Sequence, residues 1–364
     1  MRVVILAPHF AEYSLRLAVA MARRAKVLLL VEQANLRGEC DPALIAQARA
    51  AVQLVEFDMT ATWSRRASLL RILTAAALFR PDIVNIQEQI DKVTTWSSRL
   101  LRLFWPIALT VHDPQPHAGR DTDWVIENAG NRRSLRASAR LFHVHGDFCR
   151  RQLATQYPGD ARPIVVTTHG GILTPPADAL QAPEPGRILM FGRMEAYKGL
   201  ELLFDALDLL RARGRAFRLA LIGRGPELDR LRNRVAEAAD IELDETYLPP
   251  AAASAQFQRA SIVVLPYTDA TQSGVAAAAV ANGRPMVAST SGGLPDAVTD
   301  GVDGLLFENG DAAALADRLE QLLCDPDKLQ RLAEGVRTAA QTRFSWDVIA
   351  GALHEAFAEQ VRPR

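Results

Sequence analysis

Arg193 and Lys198 stand five positions apart beside a continuous apolar run, Ile188-Leu189-Met190-Phe191-Gly192, and Gly199-Leu200 follows them. A short apolar run bounded by glycine reads as a buried strand, which puts both cations at the mouth of a sheet. Arginine offers a planar fork to phosphate oxygens and lysine a movable point charge, so the pair suits a diphosphate. A solvated loop with two surface charges would have the same spelling. Against 38 arginines the chain has only four lysines, Lys26, Lys92, Lys198 and Lys328, which makes lysine at 198 a selective choice.

A second polar segment follows another apolar run: Leu265-Pro266-Tyr267-Thr268-Asp269-Ala270-Thr271-Gln272-Ser273-Gly274-Val275. A helix is expected to begin near Ser273, where its unpaired N–H groups favour a phosphate. Ser273 has a second reading as a plain N-cap, worth about 1 kcal/mol. Ser291-Gly292-Gly293-Leu294-Pro295 gives a third turn where backbone can approach a ligand closely. In the first half, His112 sits just past a strand in Thr110-Val111-His112-Asp113-Pro114, and both a structural and a catalytic role fit that place.

Two common chemistries are excluded. Dinucleotide binding needs Gly-x-Gly-x-x-Gly after a strand, but the first strand is followed by Pro8-His9-Phe10-Ala11-Glu12-Tyr13-Ser14. Gly223-Arg224-Gly225-Pro226 follows a strand too, yet lacks the third glycine, and no Gly-Lys-Ser/Thr of a phosphate-binding loop occurs. Cys40, Cys149 and Cys324 are odd in number and far apart, which predicts neither a disulfide framework nor a zinc site.

These residues need elements to hold them. Strands are predicted at 2–7, 26–31, 52–57, 82–87, 106–111, 140–144 and 163–167, then at 187–191, 217–222, 241–247, 262–265, 285–288 and 305–307. Helices are predicted at 12–24, 42–50, 64–79, 92–104, 129–138 and 147–156, then at 199–213, 226–239, 251–260, 273–282, 312–323, 327–341 and 346–358. Strand and helix alternating at this spacing mean parallel sheets with helices on both faces, hence an α/β fold of two Rossmann-like domains. Four prolines between Pro175 and Pro185 mark an extended linker. The domains are placed at 1–178 and 186–345, with a closing helix in 346–364 that returns to the first domain. Ligands of open parallel sheets gather beyond the carboxyl ends of the strands, so the two sheets are expected to face a central cleft.

Taken in order, the three second-half segments resemble the family-4 retaining glycosyltransferases of the glycosyltransferase-B fold. Leu221-Ile222-Gly223-Arg224-Gly225-Pro226-Glu227, Asp300-Gly301-Val302-Asp303-Gly304-Leu305-Leu306-Phe307 and Phe344-Ser345-Trp346 extend the match, and Thr168-His169-Gly170-Gly171 carries it weakly into the first half. The resemblance implies a nucleotide-sugar donor, UDP- or GDP-linked, on the second domain and an acceptor on the first. Arg193 and Lys198 would grip the diphosphate, with Gly192 and Gly223 in the adjoining turns. Gln272, Ser273 and Gly274 would face the phosphates and sugar, and His112 would approach the sugar. The resemblance implies no metal or other cofactor, and no Asp-x-Asp lies beside a suitable strand; Asp121-Thr122-Asp123 has the spelling but lies in a predicted loop. Relatives usually carry two glutamates eight residues apart; the matching positions here are Ala270 and Ala278. Thr271 or Gln272 would then take over the sugar contact, and a non-catalytic nucleotide-sugar-binding partner subunit is the alternative reading. An epimerase on the same architecture is a further rival.

Net charge is zero, but residues 1–180 hold 22 Lys/Arg against 16 Asp/Glu and the remainder 20 against 26. The basic half suits an anionic partner, or the split is a chance partition of a mixed surface. Trp63-Ser64-Arg65-Arg66-Ala67-Ser68-Leu69-Leu70-Arg71 and Trp96-Ser97-Ser98-Arg99-Leu100-Leu101-Arg102-Leu103-Phe104-Trp105 are basic and amphipathic. They read either as ordinary sheet-covering helices or as a surface for anionic lipid, which would suit a polyprenyl-linked acceptor. Without a basic leader or a membrane-length apolar run, the chain is expected to be cytoplasmic, with the lipid reading placing it peripherally at the inner membrane face. Extended nucleic-acid-binding patterns are missing.

Overall fold

The computed structural model describes residues 1–115, 128–175 and 181–361. Every strand run expected from the sequence forms a strand. The first unit contains β1 (Arg2–Ala7), β2 (Lys26–Glu32), β3 (Gln53–Phe57), β4 (Ile83–Gln87), β5 (Ile107–Val111), β6 (Leu141–His145) and β7 (Ile164–Thr167). They form one parallel sheet in the order β3-β2-β1-β4-β5-β6-β7. The second unit contains β8 (Arg187–Phe191), β9 (Arg218–Ile222), β10 (Ile241–Asp244), β11 (Ile262–Leu265), β12 (Met286–Ser289) and β13 (Gly304–Phe307). They repeat the doubly wound order, β10-β9-β8-β11-β12-β13, again all parallel.

Both faces of each sheet are covered, so the strands read as unbroken apolar runs. The period-two alternation of strand side chains divides each run between two cores. In β1, Val3, Ile5 and Ala7 join the helices Ala11–Met21, Pro42–Ala51 and Trp346–Val361, while Val4 and Leu6 join Thr62–Phe79, Lys92–Leu101 and Ala129–Ser138. In β8, Ile188 and Met190 pack with Leu200–Ala212 and Ala312–Cys324, and Leu189 packs with Pro250–Arg259 and the small-residue helix Gly274–Ala281.

The first unit gathers the described residues up to Gly170 and takes back the closing helix; the second runs Gly171–Ser345. The division falls upstream of the prolines because Ile172 and Leu173 already pack on the second unit's core, where Asn282 Nδ2 donates to the Leu173 carbonyl at 3.0 Å. Residues 176–180, where the sequence placed the boundary, lie outside the described residues, as does Asp121-Thr122-Asp123.

Two local differences have physical causes. The helix expected over 226–239 is two, Pro226–Arg230 and Arg232–Ala236, because Leu231 leaves helical geometry; Leu228, Leu231 and Val235 all still reach the core. The helix Gln33–Glu39 has only Leu36 buried and so shows no apolar period, but the Glu32 carboxylate caps it through Asn35 N at 2.8 Å. Among the described residues no helix is long and apolar enough to cross a membrane.

Candidate functional site

In the order β10-β9-β8-β11-β12-β13 the strand sequence reverses between β8 and β11, the place where open sheets take ligands. The turns after β8 and β9 meet there. Gly223 has φ 142°, and a Cβ on it would lie 1.9 Å from the Gly192 carbonyl, so no other residue fits. Gly192 also has positive φ, at 108°, and its N–H donates to the Ile222 carbonyl at 2.9 Å. Arg193 is exposed at this edge. The chain then makes a 3-10 turn, Ala196–Lys198, that carries Lys198 inward until it is only 9% exposed.

The Lys198 ammonium lies 3.9 Å from the Tyr267 ring centroid, a cation–π contact at the end of β11. Burial, reinforced by the charge of Arg193, pulls its pKa down to about 7. A desolvated amine influenced by a second cation is a chemistry suited to an anion.

The loop from Pro266 to Ser273 is fixed on several sides. Thr268 N donates to the Tyr197 carbonyl at 2.7 Å, tying it to the Lys198 turn, and Ser289 Oγ donates to the Tyr267 carbonyl at 2.5 Å. From beyond β12, Gly293 N donates to the Ala270 carbonyl at 3.1 Å, and a Cβ on Gly292 would lie 1.7 Å from that same oxygen. The glycine pair thus serves the loop directly. Thr271 is buried, and the Gln272 side-chain carbonyl is buried with no hydrogen-bond partner among the described residues. Ser273 caps the helix Gly274–Ala281, its Oγ accepting from Ala276 N at 3.2 Å. Gly274 opens that helix. Ala270 and Ala278 are each 1% exposed, part of the apolar core, so neither position brings a carboxylate to the site.

The carboxyl edge of the first sheet holds something sequence reading largely missed. His112 is surrounded by His145, His169, Tyr13 and Phe10, with His143 next to His145. Gln87 donates through Nε2 to Asn85 Oδ1 at 2.9 Å, which leaves its Oε1 to accept from His112 Nε2 at 2.9 Å. His112 Nδ1 then accepts from His145 Nε2 at 3.1 Å. His112 therefore has both nitrogens committed within its own unit, and its ring stacks on Phe10 at 3.9 Å. Burial holds His112 and His145 well below the ordinary imidazole range, His143 at about 3 and His169 at about 4. The missed signal was positional: His143 and His145 alternate along one strand, and His112 and His169 follow neighbouring strands.

A doubly wound parallel sheet formed twice, with cations and a helix start at its carboxyl edge, is the architecture of the GT-B glycosyltransferases. The UDP complex of Anabaena HepE superposes with TM-score 0.69 at 18% identity over 99% of this chain and 100% of that one. Sucrose-phosphate synthase from Thermosynechococcus elongatus gives TM-score 0.74 at 18% identity over 99% of both chains. The family model described as glycosyl transferases group 1 matches residues 185–325. A D-inositol 3-phosphate glycosyltransferase of Corynebacterium aurimucosum is 32% identical over 307 residues, 76% of this chain and 72% of the relative. The chain belongs to the glycosyl transferases group 1 family. Against the namesake from Xylanimonas cellulosilytica, 33% identical over 180 residues, it covers 49% of its own length and 43% of the relative's.

Proposed function

We propose that the chain is a retaining, metal-independent hexosyltransferase that moves a sugar from a UDP- or GDP-linked donor on the second unit to a glycan or polyprenyl-linked acceptor on the first, in the assembly of cell-surface polysaccharide or glycoconjugate. The observation that carries this is Lys198, a buried amine against the Tyr267 ring at the end of β11 whose charge Arg193 further disfavours. Family membership supports it, as do structural neighbours whose descriptions name UDP, UDP and glucose, or UDP-2-fluoro glucose as bound.

In this reading Arg193 and Lys198 hold the diphosphate, Gly192 and Gly223 let the backbone approach it, and the helix start at Ser273-Gly274 adds its N–H groups. Thr271 and Gln272 take the sugar contact; the unpartnered Gln272 carbonyl is suited to accept from a sugar hydroxyl. His112, held neutral by burial, keeps both ring nitrogens bonded within the first unit, to Gln87 and His145. The bond from the anomeric carbon to the phosphate oxygen breaks first. The acceptor oxygen bonds to that carbon from the same face, and its proton passes to the departing diphosphate. Charge growing on the leaving phosphate is what Arg193, Lys198 and the helix dipole stabilise, and losing one such donor costs on the order of 100-fold in rate.

A second reading, a nucleotide-sugar-binding partner subunit without turnover, is favoured by the buried Ala270 and Ala278. Thermal stability with a panel of nucleoside diphosphates and their sugars tests the donor site. One nucleotide at about 100 times its dissociation constant should stabilise the wild type by roughly 2.7 kcal/mol, and Lys198→Ala should abolish that shift. No binding at millimolar concentration would sink the donor site. Binding without donor consumption across a panel of lipid-linked and glycan acceptors would select the partner-subunit reading.

A further inference from the structure

Two helices of the first unit reach the core through Ile72, Ala76, Phe79, Val93 and Leu101, yet they also bury hydroxyl side chains and leave large apolar ones in solvent. Thr62–Phe79 buries Ser64 and Ser68 and leaves Trp63, Leu70 and Leu78 in solvent, Trp63 at 75% exposure. Lys92–Leu101 buries Thr94, Thr95, Ser97 and Ser98 and exposes Trp96, and Leu103 and Phe104 just beyond it are exposed as well, Phe104 at 74%. Two of the buried hydroxyls bond locally: Ser68 Oγ donates to the Asp58 carbonyl at 2.6 Å, and Thr95 Oγ1 to the Asp91 carbonyl at 2.6 Å. The two helices pack against each other. Of the ten large apolar side chains exposed among the described residues, six lie on this pair and its continuation, so the exposure is concentrated rather than scattered.

The charges carried by the helices themselves have one sign, with Asp58 and Asp91 at their N-terminal flanks. Arg65, Arg66, Arg71, Lys92, Arg99 and Arg102 are exposed, and neither helix contains an aspartate or glutamate. Along Thr62–Phe79 the spacing of positions 63, 66, 70, 74 and 78 keeps aromatic, arginine and leucine on one stripe. The Arg99 guanidinium lies 5.2 Å from the Trp96 ring centroid, combining cation and aromatic in a single projection.

We infer that this helix pair docks on the surface of an anionic lipid bilayer, tryptophan, phenylalanine and leucine entering the headgroup boundary and the arginines meeting lipid phosphates. A second copy of the chain fits worse, because a two-fold contact would set cations against cations. The surface goes beyond the transferase reading and holds whether or not sugar is transferred. With a polyprenyl-linked acceptor, it would bring the first unit to the plane where that acceptor lies.

Flotation of the full chain with phosphatidylcholine vesicles, with and without phosphatidylglycerol, at low and high salt tests this. The wild type should float only with the anionic vesicles and release as salt rises. Each arginine removed should weaken binding about 5-fold, making Arg65→Gln/Arg66→Gln/Arg71→Gln nearly inert. Trp96→Ser/Phe104→Ser should lose binding, while Tyr247→Ser, an exposed aromatic on the second unit, should keep it. The solvent-facing single changes Trp63→Ser and Arg66→Gln give the same readout should a multiple variant fold poorly. No flotation at low salt, equal flotation with neutral vesicles, or binding that survives the variants would each overturn the inference. So would a solution dimer that Phe104→Ser dissociates, since a second copy would then own the surface.

Discussion

Lys198 is a cation held where a cation is least stable, and in the proposed donor site this would tie binding to protonation. Its free pKa is about 7, so above that pH the amine is mostly neutral. A bound diphosphate favours the charged form and raises the pKa, so binding above pH 7 takes up a proton. Affinity for a nucleotide-sugar should be flat below about pH 7 and fall by up to about tenfold per pH unit above it. Titration calorimetry at pH 8 in buffers of different ionisation enthalpy should read close to one proton taken up, and Lys198→Met should read none. The histidines act in the opposite sense, on folding. His143 and His169 have pKa values of about 3 and about 4 in the folded unit against 6.5 unfolded. Between pH 6.5 and about 4 the unfolded chain therefore binds protons that the folded chain refuses, and stability falls as pH falls. At pH 5 each contributes a loss of roughly 2 kcal/mol. Residues 171–345 contain no histidine, so amide exchange should show the first unit opening on acidification well before the second. Equal loss in both units would contradict this.

At the scale of elements, the donor-side edge is an arrangement of turns locked by backbone contact. The Gly223 turn abuts Gly192, and Gly292 abuts the Ala270 carbonyl, so the loops after β8, β9, β11 and β12 move little independently. Gly223→Ala forces a Cβ into the Gly192 carbonyl at a strained φ, and should cost roughly 3 kcal/mol or more and abolish nucleotide stabilisation. Gly274→Ala is the contrasting case. Its Cβ would meet only Ile172 Cδ1 at 3.5 Å, so chemical unfolding should find its stability within about 1 kcal/mol of wild type. A measured loss at Gly274 comparable to that at Gly223 would show that the helix start, not the β8–β9 turn pair, bears the strain.

At the scale of the whole molecule, the closing helix Trp346–Val361 completes the first unit although it follows the second in sequence. Ile349, Leu353 and Phe357 lie in the first core, Trp346 meets Tyr13 edge-on at 4.9 Å, and the Arg24 guanidinium grips the Asp347 carboxylate at 2.8 and 3.0 Å. Removing three buried apolar side chains costs roughly 5–9 kcal/mol, comparable with the whole stability of a domain. A chain ending at Ser345 should show the first unit open by amide exchange, while the second keeps its nucleotide-induced protection. Full protection of the first unit in that truncation would mean that its core closes without the helix.

Much of this was legible in local pattern. Parallel sheets buried on both faces demand apolar strands and alternating amphipathic helices, and such runs show in the one-dimensional sequence; all thirteen strands lie where their runs predicted. Gly192, Arg193, Lys198, Gly223, Thr271, Gln272, Ser273 and Gly274 were expected in turns and a helix start after strands and lie there, because turn residues and strand ends fix one another at short range. Long-range packing decided the rest. Strand order makes neighbours of His112, His145 and Gln87, which belong to three different strands or their ends, and burial there keeps the histidines neutral. The exposure of Trp63, Leu70 and Trp96 beside buried serines and threonines on the helices Thr62–Phe79 and Lys92–Leu101 was equally hidden, because their composition names tryptophan, arginine and serine but not which of them face the sheet. A side chain's charge state and exposure depend on everything packed around it, and that neighbourhood exists only once the chain has closed on itself.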